Sequence, residues 1–126
     1  MYALATIMGR LGGNPEPYKN KGNRPFTVFS VATNYTAGES DEVTWWRCVA
    51  WGQTANAVAT MAKKGSLVFL TGRPRLKKYT VEEKDRNGAI VKVEKERLEV
   101  VVEDFRMAGG RPGGRARGTG SNKAKE

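Results

Sequence analysis

The stretch Thr44–Gly52 reads Thr-Trp-Trp-Arg-Cys-Val-Ala-Trp-Gly and holds all three tryptophans of the 126-residue chain. Alternate residues of a β-strand point to opposite faces. As a strand, the stretch places Trp46, Cys48 and Ala50 on one face, which suits a core, and Trp45, Arg47, Val49 and Trp51 on the other. Flat rings with a cation between them can stack bases and hold a phosphate backbone. The alternative is a strand buried on both sides, with Arg47 paired to a carboxylate.

The charge balance indicates a polyanionic partner. Lys and Arg number 22 against 13 Asp and Glu, a net charge of +9, which favours DNA, RNA or an anionic membrane. The chain has no histidine, which removes the usual general base, histidine-dependent triads and most zinc sites. No nucleophile with a base beside it is evident. We therefore predict a protein that is not an enzyme and binds neither metal nor cofactor.

Cysteine usage and hydropathy indicate the compartment. Cys48 is the single cysteine, so no intrachain disulfide can form, which fits a reducing compartment. In mid-strand it is interpreted as a small buried residue rather than a reactive thiol. Apolar runs are too short to span a bilayer, and Met1–Ile7 lacks a basic leader and a cleavage pattern. We expect no signal peptide and no membrane partner.

The apolar periodicity predicts three strands, one helix and two strands. A period of two covers the strands, and a helical period covers Ala55, Val58, Ala59 and Ala62, with Thr54 as N-cap. The polar segment 35–42 is interpreted as a loop, and Asn87-Gly88 as a hairpin turn. The predicted strands are Met1–Leu11, Phe26–Asn34, Val43–Trp51, Leu67–Tyr79 and Ile90–Phe105.

This element order predicts an all-β fold: a five-stranded OB-fold barrel over residues 1–107, with the short helix between its third and fourth strands. An SH3-like barrel is the alternative, but it usually lacks such a helix at that point. Residues 108–126 are glycine, arginine, lysine and small polar residues that cannot bury enough surface to fold. We predict that they form a disordered basic tail.

The fourth predicted strand repeats the pattern of rings and cations. Arg73, Arg75, Lys77 and Tyr79 are spaced by two and share a face. Since rings stack only on exposed bases, the implied ligand is single-stranded. The charges of the fifth strand, Glu94, Glu96, Glu99, Glu103 and Asp104 interleaved with Lys92, Lys95 and Arg97, are interpreted as mixed surface charge.

Several ordered blocks resemble the bacterial single-stranded DNA-binding protein family over about residues 4–107. The blocks are Gly9-Arg10-Leu11, Asn14-Pro15-Glu16, Phe29-Ser30-Val31-Ala32-Thr33-Asn34, Trp45–Gly52, Ala55, Lys64-Gly65-Ser66, Val68-Phe69-Leu70-Thr71-Gly72-Arg73, Phe105 and Met107. The resemblance implies an OB-fold homotetramer in the cytoplasm, associated with the nucleoid. Such a protein would coat single-stranded DNA during replication, recombination and repair.

The resemblance also implies roles for individual residues. Trp45, Trp51 and Tyr79 match base-stacking aromatics, and Tyr35 lies near a further stacking position. Arg47, Arg75 and Lys77 match cationic DNA-contact positions. The family typically ends in an acidic tip that recruits partner enzymes, whereas this sequence ends in arginines and lysines among glycines. We therefore expect no tip-dependent recruitment and hypothesise that the tail binds a nucleic-acid backbone.

Two other functions fit the same pattern. One is a related barrel that serves as a protein-interaction adaptor, which would form a dimer and bind single strands weakly. The other is an RNA chaperone, which would prefer RNA to DNA of equal length.

Overall fold

The computed structural model describes residues 1–108, 118–120 and 122–125. The elements are β1 (Ala5–Leu11), β2 (Glu16–Lys19), β3 (Pro25–Ala37), β4 (Ser40–Trp51), α1 (Gly52–Met61), β5 (Leu67–Lys84), β6 (Ile90–Met107), β7 (Gly118–Gly120) and β8 (Asn122–Lys125).

Five strands close into a barrel. The order is β1-β5-β6-β4-β3, and pairing of β1 with β3 closes the ring. Only the β4–β6 pairing within this ring is parallel, with Cys48 beside Val100; β2 adds to the outer edge of β3. The helix α1 lies between β4 and β5, which are the third and fourth strands of the barrel. The predicted all-β OB-fold barrel is therefore confirmed.

The core lies inside the barrel and under α1. Inward side chains of every barrel strand are buried, including Val31, Leu70 and Val100. The helix adds Ala55 and Val58 to this cluster, whereas the predicted Ala59 is exposed. Short apolar side chains let the helix pack closely against the inward residues of the barrel.

The β3–β4 hairpin is longer than predicted. The segment interpreted as a loop, residues 35–42, continues the ladder, with Tyr35 opposite Glu42 and Ala37 opposite Ser40. The loop prediction was wrong because polarity was taken as a turn signal. Beyond the barrel both faces of the hairpin meet solvent, so polar residues are compatible with strand pairing there.

The helix begins earlier than predicted. Its N-cap is Trp51, in an extended conformation and without a side-chain cap, so the prediction of Thr54 was wrong. Gly52 has φ of 62°, a left-handed conformation that glycine adopts without steric cost. It lets the chain turn sharply from β4 into α1. Trp51 is therefore the last residue of β4, and its side chain lies on the outer side of the barrel.

A long hairpin of β5 and β6 extends beyond the barrel. Its two strands pair from Val68 opposite Met107 to Lys84 opposite Ile90. At the tip, Asp85 Oδ1 accepts hydrogen bonds from the backbone N–H groups of Asn87 and Ala89 at 2.8 and 2.9 Å. The predicted Asn87-Gly88 turn is therefore present, and the strand continues further than its predicted end at Tyr79.

The described part of the tail pairs β7 with β8 in a separate two-stranded sheet. The other positions of the predicted tail, 109–117, 121 and 126, lie outside the described residues. The disordered tail over 108–126 therefore stays a prediction.

Candidate nucleic-acid interface

Strand register brings the predicted rings and cations, except Tyr35, onto one side of the barrel. Directly opposed residues in antiparallel strands share a face. Trp51 lies opposite Phe26 on β3, and Arg75 lies opposite Glu99 on β6. β6 runs between β4 and β5, so the two predicted strands are joined through it. We call this surface the outer face; it comprises Phe26, Val28, Trp45, Arg47, Val49, Trp51, Arg73, Arg75, Lys77, Tyr79, Glu99 and Val101.

Two adjoining depressions form a groove along the outer face. One has a volume of about 440 Å³ and is lined by Trp51, Arg47 and Lys77, among others. The other has a volume of about 510 Å³ and is lined by Trp45 and Arg47, among others. Because Arg47 lines both, the groove runs from one indole past a guanidinium to the other indole.

Trp45 is the more open of the two indoles, with 60% of its surface exposed. Its ring rests beside Gly12, where an added Cβ would lie 2.4 Å from the ring atom Cζ3. The loop holding Gly12 is fixed on both sides, since Gly12 N donates to Ser30 O at 3.0 Å and Lys64 N donates to Asn14 Oδ1 at 2.9 Å. The loop therefore supports one part of the ring and leaves much of it exposed to solvent.

Trp51 is half-buried at the end of a row of rings. Its ring centroid lies 4.8 Å from that of Phe26, which in turn stacks on Tyr18 at 5.3 Å. The Arg24 guanidinium lies over the Trp51 ring at 5.1 Å. Sequence reasoning missed Tyr18, Arg24 and Phe26. Alternation along β3 places Phe26 on the same face as Val28, which could have indicated that its ring faces outward. Its position beside Trp51, however, depends on the register between β3 and β4.

Arg47 lies at the middle of the groove and contacts a buried acid. Its Nε is 3.7 Å from Oε2 of Glu99, and Nε of Arg75 is 3.5 Å from Oε1 of the same carboxylate. Glu99 is 4% exposed, so its interpretation as surface charge was wrong. The alternative proposed for Arg47, pairing with a carboxylate, is thus present, but the strand is not buried on both sides because Trp45 is exposed.

The predicted site residues of β5 differ in the groups that they contact. Lys77 lines the groove, and Tyr79 carries the guanidinium of Arg97 at 4.9 Å over its ring. Arg73 is held by Glu103 at 2.8 Å and lies over the Tyr2 ring at 5.0 Å. Arg73 therefore has an acidic partner outside the groove, whereas Lys77 faces the groove itself.

Tyr35 is not brought together with this cluster. It lies opposite Glu42 with 64% of its surface exposed. Ala32 is opposite Trp45 in the same ladder, and Tyr35 has the other parity along β3. Strand alternation therefore directs Tyr35 to the side of the hairpin away from Trp45.

The inner face of β4 belongs to the core. Trp46 is partly buried against the core cluster, and its indole Nε1 donates to Thr33 Oγ1 at 2.8 Å. Cys48 is fully buried, and burial raises the pKa of its thiol from 9.0 to about 12. The interpretation of Cys48 as a buried residue is confirmed, and its thiol stays protonated at neutral pH.

Within residues 1–108 and the two short tail strands, no three His, Cys, Asp or Glu side chains are grouped as a metal site would require. In the same part of the chain, no helix has the length and apolar character to span a membrane. A hydrogen bond to Glu83 raises the pKa of the exposed Lys95 ammonium, which marks a surface ion pair of 2.8 Å.

The barrel and its outer face together define an oligonucleotide-binding barrel fold that carries a surface of aromatic rings and cations. The model of the single-strand binding protein family matches residues 4–108. The chain belongs to this family, as the resemblance in its sequence blocks implied.

Individual relatives are similar over most of the described barrel. Single-stranded DNA-binding protein 1 of Lactococcus lactis is 33% identical over 104 residues, covering 80% of this chain and 64% of the relative. Single-stranded DNA-binding protein of Enterococcus faecalis is 30% identical over 117 residues, covering 90% and 58%. That of Neisseria meningitidis is 31% identical over 110 residues, covering 83% and 59%. The match thus spans less than two thirds of each of these relatives.

Proposed function

We propose that this protein binds single-stranded DNA with little sequence preference and without catalysis. The observation that carries the proposal is the groove on the outer face, with Trp45 and Trp51 at its ends and Arg47 between them. Bases stack on the two indoles, and the cations follow the phosphates between them. Family membership and the names of its relatives, single-stranded DNA-binding proteins, support the same ligand.

The exposed ring of Trp45 favours unpaired nucleotides over duplex. A base can stack on a protein ring only when it has left its own stack, and each such contact contributes about 1–3 kcal/mol whatever the base. Phosphate contacts add a salt-dependent term, with log K falling by about 0.7 per log unit of salt for each phosphate neutralised on a single strand. Stacking should therefore persist at high salt, whereas the cationic contribution should fade.

Fluorescence titration tests the ligand class. Oligo-dT, oligo-U of equal length and a duplex are added at several salt concentrations. We expect oligo-dT to bind tightly and quench tryptophan fluorescence, and duplex to bind weakly. Preference for oligo-U would favour an RNA chaperone, and weak binding of every strand by a dimer would favour an adaptor; either result contradicts the proposal.

Paired variants test the stacking surface. Trp45→Ala with Trp51→Ala should lower affinity for oligo-dT by at least tenfold, because two stacking contacts are lost. Met61→Ala is the matched control, since it removes another exposed apolar side chain (47% exposed) at the end of α1. Normal binding by the folded double variant would remove the stacking assignment.

We further propose the assembly and role that the family resemblance implies. Four chains assemble into a cytoplasmic, nucleoid-associated homotetramer that covers strands exposed in replication, recombination and repair. Light scattering of the purified protein should give four times the chain mass. A monomer at micromolar concentration would contradict the assembly without bearing on the stacking surface.

The basic tail is proposed to add backbone contacts. Residues 108–126 contain Arg111, Arg115, Arg117, Lys123 and Lys125. Their deletion should lower the affinity for oligo-dT and flatten its salt dependence, because fewer counterions are released. Unchanged affinity and slope would refute this role of the tail.

A further inference from the structure

A buried carboxylate lies in the floor of the groove, which is unexpected in a site for a polyanion. Glu99 is 4% exposed and lines the depression that also holds Trp51. It lies on β6, the strand between β4 and β5, and contacts one arginine from each of them. A buried carboxylate is costly unless cations or hydrogen bonds accompany it. The two arginines are the cations that compensate the charge of Glu99.

The contacts are ion pairs held by Coulomb attraction rather than by hydrogen bonds, since neither the buried Arg47 Nε nor the buried Glu99 Oε2 has a hydrogen-bond partner in the described part of the chain. Arg47 and Arg75 each contact Glu99 through Nε, at 3.7 and 3.5 Å. Because Nε is the guanidinium nitrogen nearest the stem, the two terminal nitrogens of each side chain lie beyond the contact. The Arg47 and Arg75 side chains are 36% and 56% exposed, so both reach from the buried carboxylate toward solvent. One negative charge between them also lowers their mutual repulsion.

We propose that Glu99 is a positioning residue that orders Arg47 and Arg75 for phosphate binding. The inference rests on the proposed function and deepens it, since it assigns an acidic residue to the same groove. Arginines that are already ordered lose less side-chain freedom when a phosphodiester binds, and affinity rises accordingly. Glu99 acts through the two arginines and touches no phosphate itself.

Charge alone makes the opposite prediction. If Glu99 only opposes the polyanion, removing its charge must strengthen DNA binding; if it positions the arginines, removing it must weaken binding. Glu99→Gln keeps the shape and removes the charge. Positioning predicts an affinity for oligo-dT about three- to thirtyfold lower, from the renewed freedom of two long side chains. It also predicts a flatter salt dependence, by up to about 1.4 in slope if both phosphate contacts are lost.

Matched variants separate charge from position. Glu96→Gln removes the same charge from the same strand, on an exposed residue of the other parity, and should leave affinity unchanged or slightly raised. Glu99→Asp keeps the charge but shortens the reach, and should also weaken binding. It carries the test if Glu99→Gln does not fold, which thermal unfolding of each variant reports.

The arginine side chains provide a readout that needs no DNA. In the free protein, the Nε–Hε signals of Arg47 and Arg75 should be resolved by NMR and should merge with those of solvent-exposed arginines in Glu99→Gln. Tighter binding by Glu99→Gln, or unchanged affinity of folded Glu99→Asp, would overturn the proposal. Unaltered arginine signals in Glu99→Gln would overturn it as well. Failure of the unmodified protein to bind oligo-dT would instead refute the proposed function, while the NMR signals would still report whether Glu99 orders the arginines.

Discussion

Gly12→Ala should displace the ring of Trp45 without unfolding the protein. A Cβ added at Gly12 would lie 2.4 Å from Cζ3 and 2.9 Å from Cη2 of that ring, where ordinary contacts begin near 3.4 Å. The ring must therefore withdraw by about 1 Å to restore normal van der Waals contact. The loop is held by hydrogen bonds to Ser30 and Lys64, so the exposed ring moves and the backbone stays.

The expected cost falls on binding rather than stability. The indole is 60% exposed, and its movement leaves no cavity, so unfolding free energy should change by less than about 0.5 kcal/mol. A stacked base contributes about 1–3 kcal/mol, and partial loss of that contact should cost about 1 kcal/mol. That is about fivefold in the Kd for oligo-dT.

Gly13→Ala provides the matched control for this prediction. An added Cβ at Gly13 meets nothing within 4 Å, so its affinity should equal that of the unmodified protein. The assay is fluorescence titration with oligo-dT at fixed salt, beside thermal unfolding of both variants. Equal affinities for Gly12→Ala and Gly13→Ala would refute the reasoning, since the supported ring would then make no contact with DNA.

Three further predictions concern β5, the thiol and the helix contact. Lys77→Ala should weaken oligo-dT binding and lower the slope of its salt dependence by about 0.7. Lys78→Ala removes the same charge from the other face of β5 and should change neither. Equal losses of affinity in titrations of the two variants would contradict the assignment of Lys77 to the groove. Cys48 should resist alkylation at pH 8 until the chain unfolds. Because the pKa of its thiol is about 12 in the folded chain and 9.0 in the unfolded chain, the free energy of unfolding should fall by up to about 1.4 kcal/mol per pH unit as the pH rises from 9.0 to about 12. Alkaline melts of Cys48→Ala should lack this part of the decline; identical slopes would refute it. Thr27→Val should lower the unfolding free energy by about 1 kcal/mol in urea titration, because the buried hydroxyl donates to Ala55 O at 3.0 Å; no loss would mean that this bond is not stabilising.

Periodicity was enough to predict the barrel and its helix. Alternation along β4 separates Cys48 from Arg47, and the change to a helical period after Trp51 marks α1. Those signals are local, since each depends on residues a few positions apart. Local polarity misled the prediction at Tyr35, because the β3–β4 ladder continues into solvent where neither face needs to be apolar.

The finer parts of the groove depend on register, which no single segment encodes. Glu99 resembles the other acids of β6 until β4 and β5 pair on either side of it and bury it. Phe26 reaches Trp51 only through the β3–β4 ladder. The support of Trp45 by Gly12 joins a loop to a strand more than thirty positions away. Each of these contacts joins segments that are distant in sequence, so it exists only once the strands have paired.

The three tryptophans allow one direct test of the stacking surface. The protein is labelled with 5-fluorotryptophan, each ¹⁹F signal is assigned by single Trp→Phe substitution, and oligo-dT is added. The account predicts that the signals of Trp45 and Trp51 shift on binding while that of Trp46, which packs against the core, stays in place. A shift confined to Trp46, or unmoved signals from Trp45 and Trp51 in the saturated complex, would contradict it.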